Sequence, residues 1–341
     1  MDFGVFDHMD SSGRDIGQQY RERLQLAEAY DVAGFYAYHL AEHHGTPLGL
    51  APSPNIFLAA LSEHTKTLRF GPMVNTLSIY HPMRAIEEIC MLDQLSGGRL
   101  ELGIGRGISP IEMGFYGVGP ELKEIYEEVS EIILQNLSAE RLNYAGKYFT
   151  FNDVPLVIKP VQLPHPPLWY GIGNADKTPW AAKRKMNIIT NGLASVVRRV
   201  TDQFKNEWSM CSHASEPLPK IGMSRHVVIG DSDRQAHAVA APAYERWFAS
   251  LLHLWRLHDI QIPLSFPEDF AEAKAQGHCV VGSVDTVRER LAEEIESSGI
   301  NYLLCRLAFG NLPVEQTIQS VAYMRADIIP HFRDKSGRRT I

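Results

Sequence analysis

The residues best suited to chemistry lie in a glycine-rich stretch around a single arginine, Arg106. Apolar residues alternate with others from 100 to 104, which predicts a short strand, and Gly103, Gly105 and Gly107 remove side chains near its end. A guanidinium beside uncovered backbone N–H groups is suited to a phosphate, because it offers a planar fork of donors that stays protonated. A glycine-rich turn with a solvated arginine is the structural alternative.

A second loop has a similar character. Its sequence, GIGNADKT at residues 171–178, leads from a predicted strand into a predicted helix. The first N–H groups of a helix have no partner within it and attract anions, so this loop is a second candidate for the same phosphate. A strand-to-helix turn capped by Asn174 or Asp176 is the alternative.

Glu42, His43 and His44 form an acid–base trio after another predicted strand. A histidine that faces a site titrates near neutral pH and suits proton transfer. Adjacent residues of an extended chain point to opposite sides, so the two histidines do not readily bind one metal ion, and no H-E-x-x-H motif accompanies them. His39 and His43 with acids from other loops leave a metal site as an alternative. A hydrogen-bonded packing role is expected for His44.

The composition indicates an ordinary globular protein. The chain has 341 residues, of which 45% are hydrophobic, and it contains no apolar run of the length that a membrane span requires. The N-terminus MDFGVFDHMD lacks the basic residues of a signal peptide, and the four cysteines form no C-x-x-C pair. A formal net charge of -7 without a basic cluster argues against a nucleic-acid partner. We expect a soluble, cytoplasmic protein with reduced cysteines and no bound metal.

The elements that must position these residues alternate between strands and helices. Eight strand–helix units in one domain, residues 1–341, predict an α/β fold of the (β/α)8 barrel type, with an excursion at about 144–166 and an insertion at about 259–279. The predicted strands are 3–6, 35–40, 68–76, 100–105, 168–172, 187–191, 220–229 and 301–309. The predicted helices are 18–32, 55–64, 83–95, 121–137, 175–185, 196–210, 231–258, 282–298 and 314–332.

A doubly wound parallel sheet is the structural competitor. It would carry its glycine fingerprint after the first strand, whereas here the glycines follow the fourth, and Pro110 is expected to prevent a helix directly after them. In a barrel, the loops after the strands meet at one end. We therefore expect the arginine stretch, the second glycine loop and the acid–base trio to surround one site.

Three segments resemble the bacterial luciferase-like, flavin-dependent monooxygenases. They are residues 40–71, 81–117 and 281–310, and their most specific motifs are E-H-H, H-P-x-R-x-x-E and L-D-Q-x-S-x-G-R-x-x-x-G-x-x-R-G. The resemblance extends over nearly the whole chain. It implies a (β/α)8 barrel with a flavin at its C-terminal mouth, in agreement with the count of strands.

The resemblance also implies roles for the phosphate-binding residues. Arg106 matches the family arginine that binds the flavin phosphate, joined by the backbone around Ile108 and by the loop of Gly173, Asn174 and Thr178. The luciferase has an acidic residue and a serine at the positions of Gly173 and Asn174. Only the backbone donors of that loop are therefore carried over.

Further roles follow for the residues near the flavin ring. Met73-Val74 falls where the luciferase has a non-prolyl cis peptide beneath the isoalloxazine, and Gly105 replaces a cysteine near the flavin. His43 matches the histidine needed for turnover and is the implied proton shuttle. Glu42 is expected to set the charge of His43 or to contact the flavin.

The activity implied by this resemblance is a monooxygenation. Reduced FMN would react with O2 at its C4a position, and the peroxyflavin would oxidise a small organic substrate, with the insertion near 259–279 as part of a lid. A separate NAD(P)H:flavin reductase would supply the reduced FMN. The alternatives are a deazaflavin F420-dependent hydride transfer in the same superfamily, a metal-dependent barrel hydrolase and a non-catalytic flavin-binding protein.

A homodimer is also expected from the resemblance, through the helices after the second and third strands. The apolar residues of these helices exceed what one barrel face needs; they are Phe57, Leu58, Leu61, Met83, Ile86 and Cys90. The sequence does not identify the organic substrate, because specificity in a barrel depends on the arrangement of loop side chains.

Overall fold

Parallel strands, each followed by a helical segment, surround a common axis in the computed structural model, which describes residues 1–261 and 266–336. The strands are β1 Asp2–Asp7, β2 Ala37–Leu40, β3 Arg69–Pro72, β4 Asn75–Thr76, β5 Leu102–Gly105, β6 Arg141–Ala145, β7 Thr150–Pro155, β8 Leu168–Gly171, β9 Asn187–Thr190, β10 Ile221–Ile229, β11 Cys279–Gly282 and β12 Tyr302–Arg306. The helices are α1 Ile16–Ala33, α2 Pro54–His64, α3 Pro82–Leu95, α4 Pro110–Phe115, α5 Leu122–Asn136, α6 Thr178–Lys183, α7 Ala194–Ser209, α8 Asp233–Leu257, α9 Phe270–Ala275, α10 Val284–Ser298, α11 Val314–Tyr323 and α12 Ile329–Ser336.

The predicted (β/α)8 barrel is confirmed. Its strands are hydrogen-bonded in the order β3-β2-β1-β12-β10-β9-β8-β5-β4, and all of these pairs are parallel. A bridge between Phe70 and Leu100 brings β3 to the start of β5 and nearly closes the ring. β3 and β4 are thus two halves of one barrel strand, and β11 pairs outside the ring with the C-terminal half of β10.

Local signals explain where many of the elements begin and end. Asp15 caps α1 by accepting a hydrogen bond from the N–H of Gln18, and Gly34 ends the helix in the left-handed conformation with φ of 78°. Pro82 lies in the first turn of α3, as predicted, because a proline there loses no helical hydrogen bond. Pro110 does the same for α4, so the expectation that it would prevent a helix was wrong.

Three other expectations needed correction. The third strand, predicted as continuous over 68–76, is interrupted at Met73 and Val74. The predicted insertion at 259–279 contains α9 and ends where an unforeseen strand, β11, begins; its residues 262–265 lie outside the described part of the chain. The excursion at 144–166 begins earlier, as an antiparallel hairpin of β6 and β7.

The residues used to predict a homodimer are mostly interior residues. Phe57, Leu58 and Leu61 of α2 and Ile86 and Cys90 of α3 are buried in the main apolar core. Met83 is partly buried against it. They pack on the strands, so their number does not indicate a surplus apolar surface.

A close approach between β3 and β5 depends on glycine. A Cβ atom at Gly71 would overlap the backbone carbonyl oxygen of Glu101, which has no freedom to move within the sheet. Gly71→Ala is therefore expected to lower the free energy of unfolding by at least about 2 kcal/mol, measured by urea denaturation.

Gly114→Ala is the matched control, because no atom lies within 4 Å of the position that its Cβ would take. Its helical position predicts an unchanged or slightly higher stability, by up to about 1 kcal/mol. Equal stability of Gly71→Ala and the wild type would contradict the close approach.

Candidate functional site

The C-terminal ends of the barrel strands surround a cavity of about 510 Å³, which we call the main cavity. Most of the sequence-predicted site residues line it. They are Glu42, His43, Met73, Val74, Gly105, Arg106, Ile108 and Gly173. The three separate stretches singled out in the sequence therefore do meet at one place, as the barrel predicts.

Arg106 brings a positive charge without a counterion to the main cavity. Within the described chain its guanidinium makes no hydrogen bond or ion pair, and the residue is exposed. Gly107 follows it with φ of 87°, a conformation that favours glycine, and so turns the chain directly after the arginine. Arg106 is therefore free to bind an incoming anion.

Two lysines that the sequence analysis did not select lie at the same cavity. Lys177 comes from the glycine-containing loop after β8, and Lys123 comes from the first turn of α5. Glu127, one turn further along α5, also lines the cavity. Lys177 belonged to a candidate loop and could have been chosen, whereas nothing in the sequence distinguished Lys123 from other surface lysines.

The loop at 171–178 differs from the expectation in its details. Asn174 accepts a hydrogen bond from the N–H of Asp176 at 3.1 Å, and Thr178 is buried and donates to the carbonyl oxygen of Ala175 at 2.7 Å. A 3-10 turn over Ala175–Lys177 precedes α6, and both side chains are hydrogen-bonded to the backbone of this turn. Gly173 lines the main cavity, whereas Asn174 and Thr178 do not.

The carboxylate in contact with His43 belongs to Glu112. Nδ1 of His43 lies 3.3 Å from Oε1 of Glu112, and Oε2 of Glu112 accepts the backbone N–H of His44 at 2.7 Å. Ser109 holds the start of α4 by accepting the N–H of Glu112. Glu112 was not among the predicted site residues, because α4, the short helix that carries it, was not predicted.

Glu42 binds on the other side of the same strand extension. Oε1 lies 3.0 Å from Nε2 of His44, and Oε2 accepts from the N–H of Thr76 and the hydroxyl of Tyr80. Burial and the charge of Glu42 raise the pKa of Tyr80. Glu42 thus pairs with His44, two residues away, because alternate residues of an extended chain share a side.

His44 has the structural role that was expected of it. It is buried, and its Nδ1 lies 2.8 Å from the hydroxyl of Tyr116, while Nε2 faces Glu42. Nε2 of His43, by contrast, has no hydrogen-bond partner among the residues described. His43 is therefore the histidine of the pair that can exchange a proton with a molecule in the main cavity.

The predicted cis peptide bond between Met73 and Val74 is confirmed. Both residues line the main cavity, at the interruption between β3 and β4. The side chain of Val74 fills the space beside Gly105, where a Cβ atom would overlap Cγ2 of Val74. Val74 therefore occupies the space that a side chain at position 105 would need.

A smaller side cavity of about 120 Å³ adjoins this site. It shares His43, Ile108 and Glu112 with the main cavity, and the rest of its wall is largely apolar. His8 also lines it and accepts a hydrogen bond from Nε1 of Trp247 at 3.3 Å. Burial, followed by the charge of Arg306, lowers the pKa of His8, so its imidazole is neutral.

The described residues contain no group of three His, Cys, Asp or Glu side chains placed to hold a metal ion. In the same part of the chain, no helix combines the length and apolar character needed to cross a membrane.

The fit between Val74 and Gly105 can be tested by a double-mutant cycle. Gly105→Ala is expected to lower the free energy of unfolding by about 1 to 3 kcal/mol, because its methyl group would collide with Val74. In the Val74→Ala background the same change is expected to cost less than about 1 kcal/mol. Thermal and urea unfolding measure both. An equal cost in the two backgrounds would contradict the contact.

Comparison with known proteins identifies relatives of this chain by sequence. Protein y4wF of Sinorhizobium fredii is 45% identical over 328 residues, covering 96% of each chain. The oxygenase component of the flavin-dependent trigonelline monooxygenase of Acinetobacter baylyi is 27% identical over 250 residues, covering 70% of this chain and 68% of the relative.

Solved structures share the fold at low identity. The oxygenating constituent of 3,6-diketocamphane monooxygenase of Pseudomonas putida, solved with FMN, has a TM-score of 0.82 at 21% identity, covering 97% of this chain and 98% of that one. The coenzyme F420-dependent tetrahydromethanopterin reductase of Methanopyrus kandleri has a TM-score of 0.72 at 18% identity, covering 97% and 99%.

Residues 1–302 match the family described as luciferase-like monooxygenase, which is most of the chain. With the barrel, the cis peptide bond and the cavity residues already described, this match leads to one conclusion: the chain belongs to the luciferase-like monooxygenase family.

Proposed function

We propose that this protein is the oxygenase of a two-component system, which binds reduced FMN in the main cavity and uses O2 to oxidise a small organic substrate. The observation that carries the proposal is the unpaired guanidinium of Arg106 in the cavity that His43 also lines. A flavin mononucleotide has a phosphate at one end and a ring at the other, so that one bound molecule would meet Arg106 with its phosphate and His43 with its ring.

The residues present fit the FMN phosphate. Arg106, Lys123 and Lys177 are three cationic side chains that line the main cavity, and Gly107 and Gly173 leave the backbone uncovered. Lys123 also pairs with Glu127, 3.6 Å away, so Arg106 and Lys177 are the two of these cations without an ion pair among the described residues. A doubly charged phosphate would be held by charge-assisted hydrogen bonds from these groups. Met73 and Val74, at the interruption between β3 and β4, would support the ring.

The chemistry of oxygen activation would come from the cofactor, since reduced FMN supplies two electrons when bound. The protein would hold His43 in place through Glu112, leaving Nε2 free to give or take one proton in the cavity. Glu42 would fix the strand end by binding Thr76 and Tyr80. Its role is therefore in positioning the cavity wall.

A separate NAD(P)H:flavin reductase is the proposed source of the reduced FMN. Support comes from the trigonelline monooxygenase relative, whose matching chain is an oxygenase component. All four cysteines are free thiols, and three of them are buried. The reducing cytoplasm, where NAD(P)H is available, is the proposed location.

A homodimer remains part of the proposal, on different residues from those first considered. Ile56 of α2 and Met91 and Leu95 of α3 are 74%, 51% and 53% exposed, and they line a groove of about 450 Å³ between the two helices. A second copy would cover these side chains.

Sedimentation of the wild type and of Met91→Glu tests the proposed dimer. The variant is expected to be monomeric at concentrations where the wild type is dimeric.

The proposed phosphate site predicts a specific change in ligand preference. Arg106→Ala should raise the Kd for FMN by about tenfold to hundredfold while leaving the Kd for riboflavin unchanged, because riboflavin has no phosphate. Fluorescence titration measures both ligands. Arg290→Ala is the control: this residue of α10 is partly exposed and pairs with Glu293 outside the main cavity, so its removal should change neither Kd.

An equal loss of FMN and riboflavin affinity in Arg106→Ala would contradict the assignment. Titration with F420 in parallel separates the two cofactors, and tighter binding of F420 than of FMN would replace the proposal by the hydride-transfer alternative.

The role of His43 predicts a change in the reaction with oxygen. When the reduced complex is mixed with O2, the wild type should delay the return of oxidised-FMN absorbance, and His43→Gln should shorten the delay at least about tenfold. The FMN affinity should stay unchanged. His253→Gln, an exposed histidine on α8, is the control. An unaltered delay in His43→Gln would show that His43 moves no essential proton.

A further inference from the structure

One buried cation in the barrel has no counterion. Arg306 ends β12 and is only 4% exposed, yet among the described residues it forms no ion pair and no hydrogen bond through its side chain. Its Nε is sealed from solvent without a partner. The proposed phosphate site does not use this residue.

The other buried arginines show the usual arrangement. Arg23 pairs with Asp7 at 2.8 Å, and Arg225, on the neighbouring strand, pairs with Glu294 at 2.6 Å. Buried charges in proteins are normally compensated in this way, because an unpaired charge in the interior loses its hydration and no counterion offsets that loss. Arg306 differs from both, although the three are buried to a similar extent.

Aromatic rings surround the guanidinium of Arg306. Its central carbon lies 5.0 Å from the ring centroid of Phe6, 5.7 Å from that of Trp247 and 6.0 Å from that of Phe266. Such contacts stabilise a cation but leave its charge in place. The rings also hold the side chain, so it is ordered before any ligand arrives.

The charge is present at neutral pH. Burial, followed by the repulsion of Arg225, lowers the pKa of Arg306 to about 9, which is still above 7. Asp10 is a carboxyl group whose charge acts on Arg306, but it binds the N–H of Gly310 instead. Burial raises the pKa of Asp10 to about 7, so this carboxyl group is only partly charged and offsets little.

The position of Arg306 relates it to both cavities. It lies opposite His226 in the register of β10 and β12, and Phe6, on which it stacks, lines the main cavity. Trp247, the second ring, donates to His8 in the wall of the side cavity. In the sheet order, β12 and β10 are separated by β9 and β8 from β5, which carries Arg106.

Arg306 thus lies away from the proposed phosphate end. It lines neither cavity itself, but its charge acts on His8, whose ring stacks on that of His43 with the ring centroids 5.8 Å apart. We propose that Arg306 receives an anionic group of the organic substrate, a carboxylate or a comparable oxyanion, so that the substrate is an organic acid. This inference rests on the proposed function, because it names the substrate class for the same cavity. The aromatic rings would contact the hydrocarbon part of that acid.

Binding of benzoate and of its neutral analogue benzamide tests the inference by calorimetry, with both FMN-free and FMN-saturated protein. The wild type is expected to bind benzoate at least tenfold more tightly than Arg306→Met does. Benzamide should bind the two proteins equally, and Arg306→Lys should retain part of the preference for benzoate. Equal benzoate affinity of wild type and Arg306→Met in both forms, or no benzoate binding by either form of the wild type, overturns the inference.

Arg106→Ala is the matched control, since it removes a cation at the proposed phosphate end. It should weaken FMN binding and leave benzoate binding unchanged. If it weakened benzoate binding instead, benzoate would be bound at the phosphate site and the inference would be overturned. If no variant lost affinity for FMN, that result would contradict the proposed function alone. The melting temperature of Arg306→Met separates a structural role: it should not fall below that of the wild type, while added benzoate should raise only the wild-type value.

Discussion

The close contact between the third and fourth barrel strands is the constraint on which the site depends. A side chain at Gly71 would overlap the carbonyl oxygen of Glu101, and one at Gly103 would overlap that of Pro72. The two backbones can lie this near each other only because neither position carries a Cβ atom. The interruption of the third strand at Met73 and Val74 comes directly after this contact.

The same contact places the functional groups. Val74 occupies the space beside Gly105, so the chain passes from β5 to Arg106 at the mouth of the barrel. After the interruption, the N–H of Thr76 is free to bind Glu42, which fixes the end of β2. His43 follows Glu42 on the opposite side and meets Glu112. One backbone arrangement therefore orients residues from several loops.

The sequence was informative about positions along the chain and poor on contacts across it. The alternation of strands and helices, the glycines around Arg106 and the trio at Glu42 follow local rules, and each could be assigned to a loop after a strand. The cis bond at Met73-Val74 was predicted by resemblance alone. The hairpin boundaries and β11 were missed because short strands carry a weak signal.

Glu112 and Lys123 could not be selected because their value depends on distances between separate elements. Glu112 lies on a short helix that begins with a proline, and Lys123 is one lysine among many. The lack of a partner for Arg306 is likewise invisible in a sequence, since acidic residues are abundant and only folding decides which of them come near. The side chain of Asn174 caps the 3-10 turn before α6, as the alternative interpretation of that loop predicted.

The central claim is that the main cavity holds reduced FMN with its phosphate at Arg106 and its ring on the Met73-Val74 peptide. A crystal structure of the protein grown anaerobically with reduced FMN tests it most directly. The account predicts phosphate oxygens within hydrogen-bond distance of the Arg106 guanidinium and the ring beside His43. Density for FMN with its phosphate away from Arg106, or with the ring outside the main cavity, would contradict it.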